Sequence, residues 1–286
     1  MSISTRFNRI PAPLLGLGAV ALWSTLAVLA TGLRGVPPLL LLGLALCGAA
    51  LAAAPTWRRW RVSPQILLLG VYGLFGFHLL LFLALRQAPP VQANLINYLW
   101  PLMIVLLAPV FGGGHRLALG HVTAALLGAA GAALVMTNGH LSLSSAHWRG
   151  YALALGSAFI WATYSLLTQR VRTFPTAAVG LFCLVSGLLA LLAHALLEPR
   201  YFPTLAQGGL IAALALGPMG PAFFLWDAAL KRGDARTLGA LAYLTPLGST
   251  ILLIAAGHGQ LTWIVVLATA MIVGGAVLGS VASARR

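Results

Sequence analysis

The sequence predicts an all-α polytopic membrane protein: ten transmembrane helices forming two inverted-topology five-helix repeats around a central cavity, with both termini cytoplasmic. Three observations carry that prediction. The 286-residue chain is 60% hydrophobic and only 7% charged, with a mean hydropathy of +0.96. A soluble protein covers its surface with roughly a quarter charged residues, so the solvent here is mostly lipid. The apolar residues fall into runs of bilayer-crossing length, and the two halves of the chain repeat one another.

Runs of roughly 17–25 apolar residues count as spans, which gives ten, at about 13–31, 37–55, 64–85, 90–111, 117–137, 150–170, 175–197, 206–228, 235–256 and 261–281. Pro37-Pro38, Pro64, Pro89-Pro90, Gly112-Gly113-Gly114, Pro175, Pro199 and Gly257-His258-Gly259 punctuate the junctions, as helix stops and starts require. The connectors are short and hold no soluble domain; residues 138–149 link a first unit, 1–137, to a second, 150–286. A net charge of +14 suggests nucleic acid in a soluble protein. Here the basic residues sit in small groups between apolar runs, the pattern of cytoplasmic membrane loops, so no nucleic-acid partner is expected. With the N-terminus inside, Arg6, Arg9, Arg58, Arg59, Arg61, Arg116, Arg170, Arg172, Lys231, Arg232, Arg236, Arg285 and Arg286 face the cytoplasm. Only Arg34, Arg86, Arg149 and Arg200 face out. That bias sets the orientation of a multi-pass membrane protein, with both termini in the cytoplasm. Trp57 and Trp60 interleave with Arg58, Arg59 and Arg61 like an interfacial belt. Residues 1–13 are short, polar and basic with no cleavage site, so the first run is expected to remain as a helix. Cys47 and Cys183 lie inside apolar spans and read as packing residues.

The repeat is visible without gaps. A shift of 145 pairs Tyr98-Leu99-x-Pro101-Leu102 with Tyr243-Leu244-x-Pro246-Leu247, Ala84-Leu85-Arg86 with Ala229-Leu230-Lys231, and Gly73 and Gly76 with Pro218 and Pro221. A shift of 138 pairs Trp23 with Trp161, and one of 144 pairs Gly131-Ala132 with Gly275-Ala276. Five spans per copy is an odd number, so the second copy enters from the opposite face. Such inverted repeats place a substrate site near the midplane between the halves and work by rocking.

The missing chemistry narrows function. Glu198, Asp227 and Asp234 are the only acidic residues. Glu198 lies at an outer helix end and Asp234 in an inner loop. Asp227 stands one turn before Lys231, where an i,i+4 ion pair accounts for it; a coupling role is the alternative. No lysine or arginine lies deep in a span, which disfavours carriers of phosphorylated compounds. There is no Gly-rich phosphate loop, no His-Glu-x-x-His and no Cys-x-x-Cys, so no catalytic, metal or cofactor site is expected. His78 is the one histidine inside a span; His115, His140, His147 and His258 fall in loops, and His121 and His194 near span ends.

Aromatic rings and amides remain at midplane depth. Trp23, Trp100 and Trp161 each lie about ten residues from a span end, near the bilayer centre at roughly 1.5 Å per residue. Trp57, Trp60, Trp148 and Trp263 sit at span edges instead. Asn94, Tyr98 and Pro101 share one helix face, with Asn97 and Trp100 on the next. Pro101 cannot donate to the Asn97 carbonyl, nor Pro246 to that of Ala242, so both helices kink; Pro218 and Pro221 add a break in span 8. Gly73 and Gly76 give His78 close neighbours or open space. Such a weakly polar cavity suits a substrate with a flat or apolar body. A zwitterionic amino acid would add an ammonium for the indoles and a carboxylate for amides or helix termini. Tyr243 is expected to join that wall. Small-x-x-x-small pairs such as Gly275 and Gly279 read as packing contacts and give no oligomeric state; a monomer suffices.

Ten spans in two units, Trp-Ser-Thr at Trp23 to Thr25, and Asn-Tyr-Leu-Trp-Pro-Leu at Asn97 to Leu102 together resemble the EamA family of the drug/metabolite transporter superfamily. Within it the chain is most similar to the bacterial aromatic amino acid exporters. The resemblance implies a basket of ten helices around a central cavity, with export of phenylalanine, tyrosine and tryptophan. It also implies site roles for His78, Tyr98, Trp100 and Trp161, and spans 3, 4, 8 and 9 as moving walls. The expected function is therefore alternating-access export of aromatic and other bulky neutral amino acids. Without a deep carboxylate it runs down the substrate gradient, His78 being the one candidate proton carrier. The rivals are a broad exporter of hydrophobic metabolites or drugs, and an intramembrane enzyme or assembly factor.

Overall fold

A computed structural model describes residues 10–111, 119–140, 143–171, 173–257 and 260–284. The expected turn at Gly112-Gly113-Gly114 lies outside the described residues, as do His258 and Gly259, His115, and Arg6, Arg9, Arg116, Arg172, Arg285 and Arg286. Among the described residues the chain is all helical, with no strand. Nine stretches are long and apolar enough to cross a membrane: Ala12–Thr31, Pro38–Arg59, Pro64–Gln87, Pro90–Phe111, Leu119–Thr137, Ser145–Arg170, Thr176–Leu197, Leu205–Leu230 and Ala235–Ala255. They are numbered spans 1–9 below. The last helix, Trp263–Ala284, includes a shorter apolar stretch, Trp263–Gly279.

Prolines stand in the first turn of helices Pro38–Ala53, Pro64–Val71, Pro90–Asn97 and Pro221–Leu230, where the missing N–H costs nothing. Thr204 and Gln207 cap each other's backbone at the start of span 8, a reciprocal arrangement that satisfies two orphan donors. Leu51, Leu68 and Leu196 are exposed on the outer surface, which suits lipid and not water.

Span 2 packs along span 7, and span 5 along the last helix. Span 6 lies against spans 3 and 4, and span 1 against spans 8 and 9. Span 8 also touches span 2, span 7 touches span 3, and spans 4 and 9 meet. At one end of the bundle the buried Glu198 carboxylate accepts from the backbone N–H groups of Leu39 and Leu40 at the start of span 2. It also pairs with Arg86 at 2.7 Å and His194 at 3.0 Å. A helix N-terminus, an arginine and a histidine therefore converge on one carboxylate.

Among the described residues five spans are interrupted. Span 1 turns at Thr25, whose hydroxyl bonds the Leu22 carbonyl at 2.7 Å, a side-chain bond that competes with the helix. Span 3 contains a π turn, Tyr72–Gly76. Span 4 breaks at 98–99, between helices Pro90–Asn97 and Trp100–Phe111; span 9 breaks at Tyr243, between Ala235–Ala242 and Leu244–Ala255. Pro101 and Pro246 supply the cause. Span 8 opens over 217–220 before Pro221 restarts it.

The π turn carries Gly73 directly beneath the Tyr164 ring, where a Cβ would lie 2.4 Å from ring carbons. A Cβ on Gly76 would meet only Ile160, at 3.5 Å. Gly73→Ala should therefore cost about 2 kcal/mol through forced repacking, while Gly76→Ala is neutral or slightly stabilising. Thermal unfolding of the two purified variants in detergent checks this; equal melting would refute the packing role of Gly73.

Candidate functional site

Three spans bring their midplane tryptophans into one cluster. Trp23 and Trp161 have ring centroids 5.8 Å apart, Trp23 and Trp100 6.3 Å, and Trp100 and Trp161 6.3 Å, all near edge-on. Such pairs contribute about 0.5–1.5 kcal/mol each beyond burial. The cluster also includes rings that the sequence did not single out. Trp226 lies 5.3 Å from Trp23, Phe223 5.7 Å from Trp161, and Phe77 5.1 Å from Trp161. Phe223 and Trp226 are three residues apart just after Pro221, so they share a helix face. That spacing was the signal available for them.

A cavity of ≈500 Å³ rests on this floor, within the roughly 300–1,000 Å³ usual for small-molecule sites. Its walls rise from the indoles toward the bundle end that carries Arg86 and Glu198, through Ala30, Leu41, Phe82, Asn94, Met136 and Thr250. No aspartate, glutamate, lysine or arginine lines it among the described residues.

Of the residues expected at the site, Trp23, His78, Asn94, Asn97, Tyr98, Trp100, Trp161 and Pro246 line this cavity together. Tyr243 does not. It is fully buried between spans, against Ala132, Leu247 and Ile272, and its hydroxyl accepts from the Leu102 N–H at 3.1 Å. The repeat placed it at the right depth, but its ring points into the seam beside Gly128. Pro101 is also buried off the cavity, its carbonyl close to Gly239 of span 9. Pro218 and Pro221 flank Met219, which does line the wall. Gly73 and Gly76 belong to the π turn preceding His78.

His78 Nδ1 lies 2.6 Å from the Leu74 carbonyl. A carbonyl has no proton to give, so Nδ1 donates, and in the neutral ring Nε2 is left as an acceptor. Asn97 is held by the Ser157 hydroxyl, which donates to its Oδ1 at 3.0 Å and lies 3.1 Å from the Phe77 carbonyl. The neutral groups around the cavity thus have set hydrogen-bonding roles.

Beyond the floor the bundle is packed shut. The Trp226 indole donates to Ser165 at 3.2 Å, and the Gln169 amide to the carbonyls of Leu230 and Gly233 at 2.7 and 2.8 Å. The expected ion pair is present, Lys231 Nζ lying 2.6 Å from Asp227 Oδ2. The same ammonium sits 3.6 Å above the Phe174 ring. Asp227 is thus spoken for below the cavity, on the side away from its lining.

The EamA-like transporter profile matches the chain twice, over residues 10–137 and 148–281. The chain belongs to the EamA-like transporter family. Among curated EamA-like relatives it is similar to "Aromatic amino acid exporter YddG" of Ancylobacter novellus, 39% identical over 97% of this chain and 100% of the relative. It is also similar to the protein of that name from Salmonella typhimurium, 30% identical over 84% of this chain and 87% of the relative. A crystal structure with 38% sequence identity superposes with a TM-score of 0.90, covering 96% of this chain and 99% of the other. The family consists of transporters, so this chain is a multi-pass membrane transporter and not an enzyme. Both EamA-like segments build the cavity: the first contributes Trp23, His78 and Trp100, the second Trp161, Phe223 and Thr245.

Proposed function

We propose that the protein exports aromatic and other bulky neutral amino acids across the bacterial inner membrane by alternating access, down the substrate gradient. The observation that carries this is a charge-free cavity in the membrane whose floor is three indoles and whose walls carry neutral amides and hydroxyls. The two relatives named above are both called aromatic amino acid exporters, which agrees in substrate class.

The architecture behind the proposal is ten spans, the last helix being the tenth, in repeats 1–137 and 150–286 joined by a linker at 138–149. The pairing of spans supports it: adding five to each span number carries the pairs of spans 1 and 8, 1 and 9, 2 and 7, 2 and 8, 4 and 9, and 5 and the last helix onto observed pairs. The positive-inside bias puts both termini in the cytoplasm. The cavity's walled end then faces out, and the Asp227–Lys231 end is the closed cytoplasmic side. Export proceeds when spans 3, 4, 8 and 9 bend at their interruptions, so that the site alternates between an inner-open form that takes up substrate and this outer-open form that releases it.

Uptake of labelled phenylalanine, tyrosine, alanine and lysine into liposomes carrying the purified protein tests this. Phenylalanine and tyrosine should enter faster than alanine and well ahead of lysine. No stimulation of aromatic uptake over empty liposomes would overturn the proposal. Cationic dyes moving as fast as phenylalanine would favour a broad exporter of hydrophobic compounds. An imposed pH gradient should leave the rates unchanged.

A further inference from the structure

Three hydroxyl-bearing residues of span 9 line the cavity just past its break: Thr245, Ser249 and Thr250. They are not equivalent. Ser249 donates to the Ser24 carbonyl at 3.1 Å, and Thr250 to the Pro246 carbonyl at 2.9 Å. Each has spent its one proton, so toward the cavity each offers lone pairs. Thr245 is only 5% exposed, and its Oγ1 is buried with no hydrogen-bond partner in the protein. A buried hydroxyl without a partner is costly enough to call for an explanation. Its neighbourhood is held tightly. Ser24 Oγ lies 3.3 Å from the Thr245 carbonyl, and a Cβ on Gly248 would fall 2.3 Å from Ser24 Oγ. Pro246 adds another acceptor by withholding an N–H from the Ala242 carbonyl.

The wall formed by span 4 has the opposite character. Asn97 Oδ1 is engaged by Ser157, which leaves its Nδ2 as the free donor, and Asn94 and the Tyr98 hydroxyl stand beside it on the lining. Spans 4 and 9 touch below their breaks, where Gly239 meets the Pro101 carbonyl, and both line the cavity above them.

We propose that this fork between the broken spans is the subsite for the zwitterionic head of the substrate. Its ammonium lies on the acceptor wall of span 9, with Thr245 Oγ1 as the specificity-determining contact, and its carboxylate on the donors of span 4. The side chain then lies on the indole floor. The ammonium is thereby bound by oxygen lone pairs, and the indoles are left to recognise the ring. The assignment rests on the amino acid reading given above.

Thr245→Val keeps the shape of the side chain and deletes the hydroxyl. In liposomes it should raise the KM for phenylalanine about tenfold, the size of one hydrogen bond to a charged group. Inhibition of phenylalanine uptake by 2-phenylethylamine, which keeps the ammonium, should weaken similarly. Inhibition by 3-phenylpropionate, which lacks it, should not change. Thr245→Ser should restore the wild-type KM, and Thr245→Val, which removes an unpartnered buried hydroxyl, should melt at or above the wild-type temperature. An unchanged KM in Thr245→Val overturns the assignment, as does a loss that falls on 3-phenylpropionate instead of the amine. A wild-type protein that moves no phenylalanine at all overturns the exporter reading itself, and the subsite with it.

Discussion

Trp100→Ala is expected to lower phenylalanine transport in liposomes at least tenfold, while Trp263→Ala leaves it within twofold of wild type. Trp100 is 5% exposed and touches Trp23, Trp161 and Trp226. Removing it takes away one of three floor rings and leaves a void under the other two. Large-to-small changes at such positions cost about 3–5 kcal/mol, so folding must be followed separately. Trp100→Phe keeps a ring at reduced size and should fold normally while retaining part of the activity. Trp263 lies at the edge of the last helix with 71% of its surface exposed, the position of an interfacial anchor. If Trp100→Phe and Trp263→Ala lose activity equally, the indole floor is not where substrate binds.

Lys231→Met should destabilise the protein by about 3 kcal/mol, because it strands a buried charge. The Asp227 side chain is fully buried, and its Oδ1 has no partner; Lys231 supplies the contact to Oδ2 while keeping one-fifth of its own surface exposed. Replacing both partners, as Asp227→Leu with Lys231→Met, removes the stranded charge and should recover most of the loss. Thermal unfolding in detergent gives the comparison. A double variant no more stable than Lys231→Met would show that the carboxylate has obligate partners other than the lysine.

Depth along a helix could be counted from the sequence; direction around it could not. The distance from span ends put Trp23, Trp100 and Trp161 at one level, and they meet there. The i,i+4 spacing of Asp227 and Lys231 was enough to pair them, and Pro101, Pro246 and the pair Pro218 and Pro221 announced three of the five breaks. Tyr243 shows where the method fails. It sits at the right depth in the repeat, but a tyrosine has both an apolar ring and a polar tip, so depth and spacing do not say whether it faces the cavity or a neighbouring helix. The break at Thr25 has no proline, only a hydroxyl returning to a carbonyl. Glu198 gave no sign that it caps the distant start of span 2, since that contact joins residues far apart in the chain. Thr245 was read only as the variable position between Leu244 and Pro246. Its significance lies in a bond it does not make.

The five helix interruptions also bear on speed. Thr25, the π turn, 98–99, 217–220 and Tyr243 all adjoin residues that line the cavity. At these points the backbone hydrogen-bond ladder is already cut or re-registered. Bending there breaks few further backbone bonds and requires little new strain. Under the alternating access proposed above, the packed ring cluster at the cavity floor is then the element whose rearrangement has the most contacts to exchange.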